Sequence, residues 1–244
     1  MLTFNRPDKL NALSWTMLEQ LEAALDRLAE DVSVRVVVLT GGGGRAFVAG
    51  ADIAEYSNDP AAFIAYQKRG RAVFEKIEAL PKVTIAAIGG YALGGGFEIA
   101  LCCDILVCSE SARLGLPEGT LGLCPGGGGS QRLTRTAGKA TASDVMLCGR
   151  RLSGADAYRL GLAAEVVPDA ELRDAALKRA RWAMKIAPLA AMEMKRLIRE
   201  GADAALPAAA SLEQEVLFRL FRTADGQEGI AAFLERRSPH FVGK

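Results

Sequence analysis

Apolar residues recur at two spacings along this chain, and the spacings predict its elements. Ser14 stands as an N-cap before Leu18, Leu21, Leu25 and Leu28, which alternate in steps of three and four and mark one face of a helix ending near Glu30. Residues 34–39 (VRVVVL) are short and β-branched, a buried strand that should stop at the glycines of 41–44. A helix is expected over 60–80 with Ile64, Val73, Phe74, Ile77 and Leu80 inward, ended by Pro81 and followed by a strand over 83–88. After the glycines of 89–96 come a helix through Ile99 to about Cys102 and a strand at 105–108. Short strands at 112–115 and 164–167 and helices near 130–137, 139–148 and 153–160 continue the order, with Ser153 and Asp156 as a capping box and Gly161 as a C′ glycine. This succession predicts an α/β architecture in which helices cover a core of buried strands.

Beyond Asp169 the pattern changes to helices alone, over 169–187, 188–200, 207–222 and 226–237. The segment LEQEVLFRLF at 212–221 carries more apolar residues than such a tail can bury by itself, so it should dock on the main body or on another subunit.

Composition narrows the function classes. The chain has 244 residues, half of them hydrophobic and 24% charged, which suits one large domain or one domain with an appendage. Thirty basic against 29 acidic residues leave a net charge of +1, so no global field draws the protein to nucleic acid or an anionic membrane. The first long helix holds one arginine against four acids, which argues against an RNA-binding role. The longest uncharged run, 83–97, is shorter than the ~20 residues of a membrane-spanning helix, and the N-terminal residues carry charges and a proline where a signal peptide is apolar. The single histidine, His240, lies near the C-terminus, a poor place for a zinc site or a Ser–His–Asp triad, so no metal is expected. Five cysteines without a CxxC pair, in apolar surroundings, read as buried free thiols of a protein in the reducing cytoplasm.

The glycine clusters match no GxGxxG, Walker A or GxSxG template. The cluster at 94–96 is informative for another reason, because a strand–glycine–helix junction turns backbone N–H groups outward at the positive end of a helix dipole. Such a junction suits a carbonyl oxygen that gains negative charge during reaction. Glu98 follows directly in the first helical turn, and Glu118 sits in GLPEG. Both are flanked by apolar residues (Phe97 and Ile99; Leu116 and Pro117), where a desolvated carboxyl can hold a proton near neutral pH.

On the segments NRPDKLNALS (5–14), AFVAGADIAEY (46–56), GYALGGGFEIALCCDI (90–105), GLPEGTLGLCPGGGGSQRLTR (115–135) and GIAAFLERRSPHF (229–241), the chain resembles the crotonase, or enoyl-CoA hydratase/isomerase, superfamily. The resemblance implies a crotonase-like spiral of ββα repeats over 1–187 and a C-terminal helical oligomerisation region over 188–244, assembled as a homo-trimer or as a homo-hexamer built from two trimers. It implies an acyl-CoA thioester substrate, with coenzyme A part of the substrate and no separate cofactor. The oxyanion hole would be the N–H groups of Ala51 and Gly95, with Glu98 and Glu118 as the pair that hydrates an enoyl double bond. The N–H of Gly126 would help fix the water. The CoA arm would run along Ala51, Asp52, Ile53 and Ala54 and along the segment from Lys9 to Ala12, with Ala54 standing where lysine is frequent in related chains. Tyr56, Tyr66, Phe97 and Leu123 are candidates for the acyl pocket, and Phe233 for a reach toward the pocket of its own chain or of a neighbour. A Δ3–Δ2 enoyl-CoA isomerase and an RNA- or protein-binding relative are the alternatives. Related chains begin about twenty residues earlier, with a strand pair, so either the start is truncated or the sheet lacks an edge, and the protein is expected to be less stable than a full-length version.

Overall fold

A computed structural model describes residues 1–55 and 59–244. The first half of the chain forms β1 (Leu2–Phe4), α1 (Trp15–Glu30), β2 (Val36–Gly41), β3 (Ala46–Val48), α2 (Pro60–Ala79), β4 (Val83–Ile88), β5 (Tyr91–Leu93) and α3 (Gly95–Cys102). It continues with β6 (Ile105–Ser109), β7 (Arg113–Gly115), α4 (Gly129–Leu147), β8 (Leu152–Ser153), α5 (Gly154–Arg159), β9 (Glu165–Val167) and α6 (Leu172–Ala183). Three helices close the chain: α7 (Pro188–Gly201), α8 (Leu206–Phe221) and α9 (Ala224–Leu234).

Three successive ββα units, β2–β3–α2, β4–β5–α3 and β6–β7–α4, wind around one axis. Each unit gives its first strand to a five-stranded parallel sheet, ordered β1-β2-β4-β6-β9, and its second to a four-stranded sheet, ordered β3-β5-β7-β8. Both faces of the larger sheet are covered, which is why its strands read as unbroken apolar runs. Successive side chains of a strand point to opposite faces. Val37, Leu39, Ala86 and Ile88 accordingly enter the core shared with α1–α4, whereas Val38, Ile85, Ala87 and Val107 meet Ala175, Ala176 and Ala180 of α6.

The local signals act as the residues suggest. Ser14 Oγ accepts a hydrogen bond from Met17 N at the start of α1, and Ser153 with Asp156 forms a reciprocal capping box on α5. The interruption between 137 and 139 is a kink inside α4, where Gly138 takes φ +80°.

Other expectations are corrected. Ile64 is exposed: it lies two residues from buried Tyr66, nearly the far side of a helix with about 3.6 residues per turn. The strand foreseen at 34–39 runs two residues later, because Val34 N closes a turn onto Asp31 O and Gly41 stays in register with Phe4 of β1. The glycine-rich 89–94 stretch holds a strand of its own, β5, paired with β3 and β7. Cys102, Cys103 and Cys108 are buried free thiols, but Cys124 and Cys148 are exposed, one in a loop and one at the end of α4.

Helix α7 is latched to the body by Lys195, whose Nζ reaches Asp104 at 3.0 Å and the carbonyls of Lys82 and Ile77 at 3.1 and 3.4 Å. Buried Asp225 accepts from Val242 N and Gly243 N and ties the C-terminal tail to the start of α9. Leu217, Phe218, Phe221, Phe233 and Leu234 remain exposed on α8 and α9. Among the described residues, no helix is long and apolar enough to cross a membrane.

Candidate active site

The site is assembled from four connections, and the first is the segment 6–13. Asn11, fully buried with φ +58°, accepts from Arg6 N at 2.8 Å and donates to Gly42 O at 3.0 Å and Ala46 O at 2.7 Å. These bonds fasten the segment to the β2–β3 connection and set Leu13 beside Ala51. Leu13 N donates to Gly50 O and Leu13 O accepts from Asp52 N, both at 2.8 Å. The bridge therefore uses the residues on either side of Ala51, and the N–H of Ala51 faces away from it, donating to no described residue. Gly95 opens α3, so its N–H is one of the helix's unpaired donors.

Helix α3 then carries Glu98 inward. Its Cα can approach because Gly96 packs on β3: a Cβ there would lie 2.0 Å from Val48 O. Glu98 is 3% exposed, and its Oε1 accepts from Gly127 N and Gly129 N, both at 2.8 Å. Burial raises its pKa, opposed by these two N–H groups and by the charge of Arg132. Arg132 is in turn fixed by a two-pronged pair with Glu78, at 3.0 and 2.7 Å, and by donation to Gly127 O at 2.8 Å.

Glu118 lies in the 3₁₀ turn of Pro117–Leu121. Its Oε2 is buried and has no hydrogen-bond partner among the described residues. Desolvation, helped by the neighbouring charge of Glu98, pushes its pKa up to about 7. Gly94 lies between the two acids: its carbonyl accepts from Glu98 N at 2.9 Å, and a Cβ on it would stand 3.1 Å from Glu118 Oε1.

Ala51, Ile53, Gly95, Glu98, Glu118 and Gly126 all border one cavity of about 130 Å³. Lys9, Ala12, Asp52 and Ala54 lie outside its lining. Asp52 pairs with Arg6 at 3.0 Å, and Arg6 also donates to Ala12 O at 2.9 Å. Of the acyl-pocket candidates, Tyr66 and Leu123 border the cavity. Phe97 does not: it is fully buried in the core. Tyr56 lies outside the described residues.

Gly127, Gly129 and Arg132 were not singled out by sequence reasoning. The signal was present in PGGGG, whose glycines admit the Glu98 carboxyl: a Cβ on Gly127 would fall 2.5 Å from Phe74 Cδ2 and 2.8 Å from Glu98 Oε2. No group of three or more His, Cys, Asp or Glu among the described residues could hold a metal ion. What the cavity offers is two carboxyls of raised pKa beside two backbone donors without acceptors among the described residues.

The sequence profile of the enoyl-CoA hydratase/isomerase family matches residues 1–244. The chain is 41% identical over 244 residues to the 2,3-dehydroadipyl-CoA hydratase of Escherichia coli (strain K12), covering 100% of this chain and 95% of that one. It is 37% identical over 238 residues to the short-chain-enoyl-CoA hydratase of Clostridium acetobutylicum, with coverage of 97% and 91%. In structure it is similar to an enoyl-CoA hydratase from Bacillus anthracis, with a TM-score of 0.96 at 38% identity over 99% of this chain and 94% of that one. Whole-length similarity and a shared spiral of ββα units lead to one conclusion: the chain belongs to the enoyl-CoA hydratase/isomerase family.

Proposed function

We propose that this protein is a hydro-lyase that adds water across the 2-trans double bond of an enoyl-CoA thioester to give a 3-hydroxyacyl-CoA. The observation that carries the reading is the orphaned Oε2 of Glu118 in the same small cavity as Glu98. A buried oxygen without a partner is costly unless a water or a substrate meets it.

The thioester oxygen accepts from the N–H groups of Ala51 and Gly95, which bind it more strongly as it becomes an enolate oxygen. A fixed donor of this kind contributes about 3–4 kcal/mol to the transition state. Glu98, charged and oriented by Gly127 and Gly129, accepts a hydrogen bond from the water and takes its proton as oxygen attacks the β-carbon. Glu118, whose pKa of about 7 keeps a proton available at neutral pH, delivers one to the α-carbon as the enolate collapses. The two acids share a site, so their protonation steps belong to the pair. Gly126, on the rim of the cavity, is the further donor to the water. The CoA arm leaves past Ile53 and Ala54, beside Lys9 and Ala12, and no separate cofactor takes part.

The exposed apolar side chains of α8 and α9 support assembly as a homo-trimer or a dimer of trimers. Five free cysteines support residence in the reducing cytoplasm.

Hydration of crotonyl-CoA, followed by loss of the conjugated thioester absorbance, tests the assignment. Glu98→Gln and Glu118→Gln should each lower kcat by roughly 10²–10⁴-fold, the usual contribution of a general acid or base, with acyl-CoA affinity nearly unchanged. Wild-type turnover in either variant would overturn the mechanism. An isomerase would instead create that absorbance from a 3-enoyl-CoA.

A further inference from the structure

Helix α2 brings Tyr66, Gln67, Gly70, Arg71 and Phe74 to the wall of the cavity. Phe74 marks the reacting end, since its ring lies 3.6 Å from the Cβ position of Gly95 and 2.5 Å from that of Gly127. Arg71 and Gly70 stand one turn back along α2 and Gln67 about two, each turn being about 5.4 Å. One turn is spanned by roughly four carbon–carbon bonds of an extended chain. The wall changes chemistry over that distance, from an aromatic ring to an amide and a guanidinium.

One polar group is free of the described residues, and the other is held only by a pair open to solvent. Gln67 is half-buried, its Oε1 lies 2.5 Å from the Cβ position of Gly126, and its side-chain amide bonds to no described residue. Arg71 contacts Glu75 at 2.8 Å, but the two side chains are 68% and 51% exposed, and a helical pair so open to water adds little stability. A larger crevice of about 630 Å³ shares Arg71, Gly126 and Gly127 with the cavity, so the arginine has room to turn. A methyl-ended acyl chain packed here would strip water from both groups and give nothing back. A carboxylate would accept from both, and it competes with a Glu75 pair that water already weakens.

We infer that Gln67 and Arg71 read the far end of the acyl chain and that the substrate is an enoyl-CoA with a terminal carboxylate, a 2-enedioyl-CoA. The inference rests on the hydratase reading. Positive charge on Arg71 is required here, since Glu98 and Glu118 share the cavity and would otherwise repel a third carboxylate.

The test compares kcat/KM for trans-2-hexenoyl-CoA with that for the six-carbon 2-enedioyl-CoA, which differ at the tail alone. The wild-type protein should favour the diacid ester at least tenfold. Arg71→Met should reduce that ratio at least tenfold, mainly through KM for the diacid ester, and Gln67→Leu should reduce it by a smaller factor. A merely structural role would move both substrates together and leave the ratio unchanged. Equal KM increases for both esters would assign Arg71 to the CoA phosphates and overturn the inference, as would a wild-type preference for hexenoyl-CoA. Failure to hydrate either ester would instead overturn the hydratase assignment itself.

Discussion

Glu98 and Glu118 are both glutamates in apolar neighbourhoods, yet their surroundings separate them. Glu98 has two backbone N–H groups and a nearby arginine to hold its charge, whereas Glu118 has an oxygen with no partner among the described residues. This difference in surroundings divides the acid from the base. It also has a consequence for stability. A carboxyl whose folded pKa is raised binds protons more tightly in the folded state, so its favourable contribution is complete below the unfolded value of 4.5 and is lost as pH rises through about 7. Glu118→Gln should therefore stabilise the protein at pH 8 relative to wild type, by about 1–2 kcal/mol once partial solvent screening is allowed for, and much less at pH 5. Denaturant melts at the two pH values check this, and an equal difference at both would contradict it. The rate should follow the same proton: kcat should fall as pH rises beyond about 7, while Glu118→Gln loses that limb.

At the scale of elements, the start of α4 is the support on which the chemistry depends. The glycines at its start, Gly127 and Gly129, do two jobs, pointing N–H groups at Glu98 and leaving space for its carboxyl against Phe74. Gly127→Ala tests the second job without disturbing a left-handed backbone, because its φ is not positive. The added methyl would meet both Phe74 and Glu98 and should cost about 1–3 kcal/mol by overpacking. Activity should fall by more than the loss of folded protein explains, which thermal melts and crotonyl-CoA turnover measured together would reveal. Melting and turnover both at wild-type levels would show that this contact is slack. Asn11 supports the other half of the site in the same manner, through a fully buried amide joining three backbone groups.

Across the whole molecule, a parallel five-stranded sheet and a mixed four-stranded sheet form the frame, and the loops after β3, β5 and β7 converge on the cavity. The helices α7–α9 contribute little to that core, and α8 and α9 hold Leu217, Phe218, Phe221, Phe233 and Leu234 in solvent. In the assembly we propose, part of this surface is covered by neighbouring copies. Light scattering should give the mass of three or six chains, and Phe218→Glu combined with Phe221→Glu should shift the protein toward monomers. A monomeric wild-type protein at micromolar concentration would refute the assembly.

Much of this was legible from residues alone where the signal is local. Leu18, Leu21 and Leu25, the cap at Ser14, the box at Ser153 and Asp156 and the break at Gly138 each depend on neighbours a few positions away, so spacing suffices. The candidates Ala51, Gly95, Glu98 and Glu118 were likewise visible, through motifs the chain shares with its family. What spacing could not supply is anything made by residues distant in sequence. The strand Tyr91–Leu93 exists because β3 and β7 lie on either side to pair with it. Ile64 and Phe97 are both apolar, and only the packing of their helices sends one to water and the other to the core. Glu98 meets Gly127 and Gly129 from about thirty positions away, and the partnerless oxygen of Glu118 is a property of the folded cavity. Local preference is written in short stretches of chain, but desolvation and pairing across the fold are set by which surfaces close on one another.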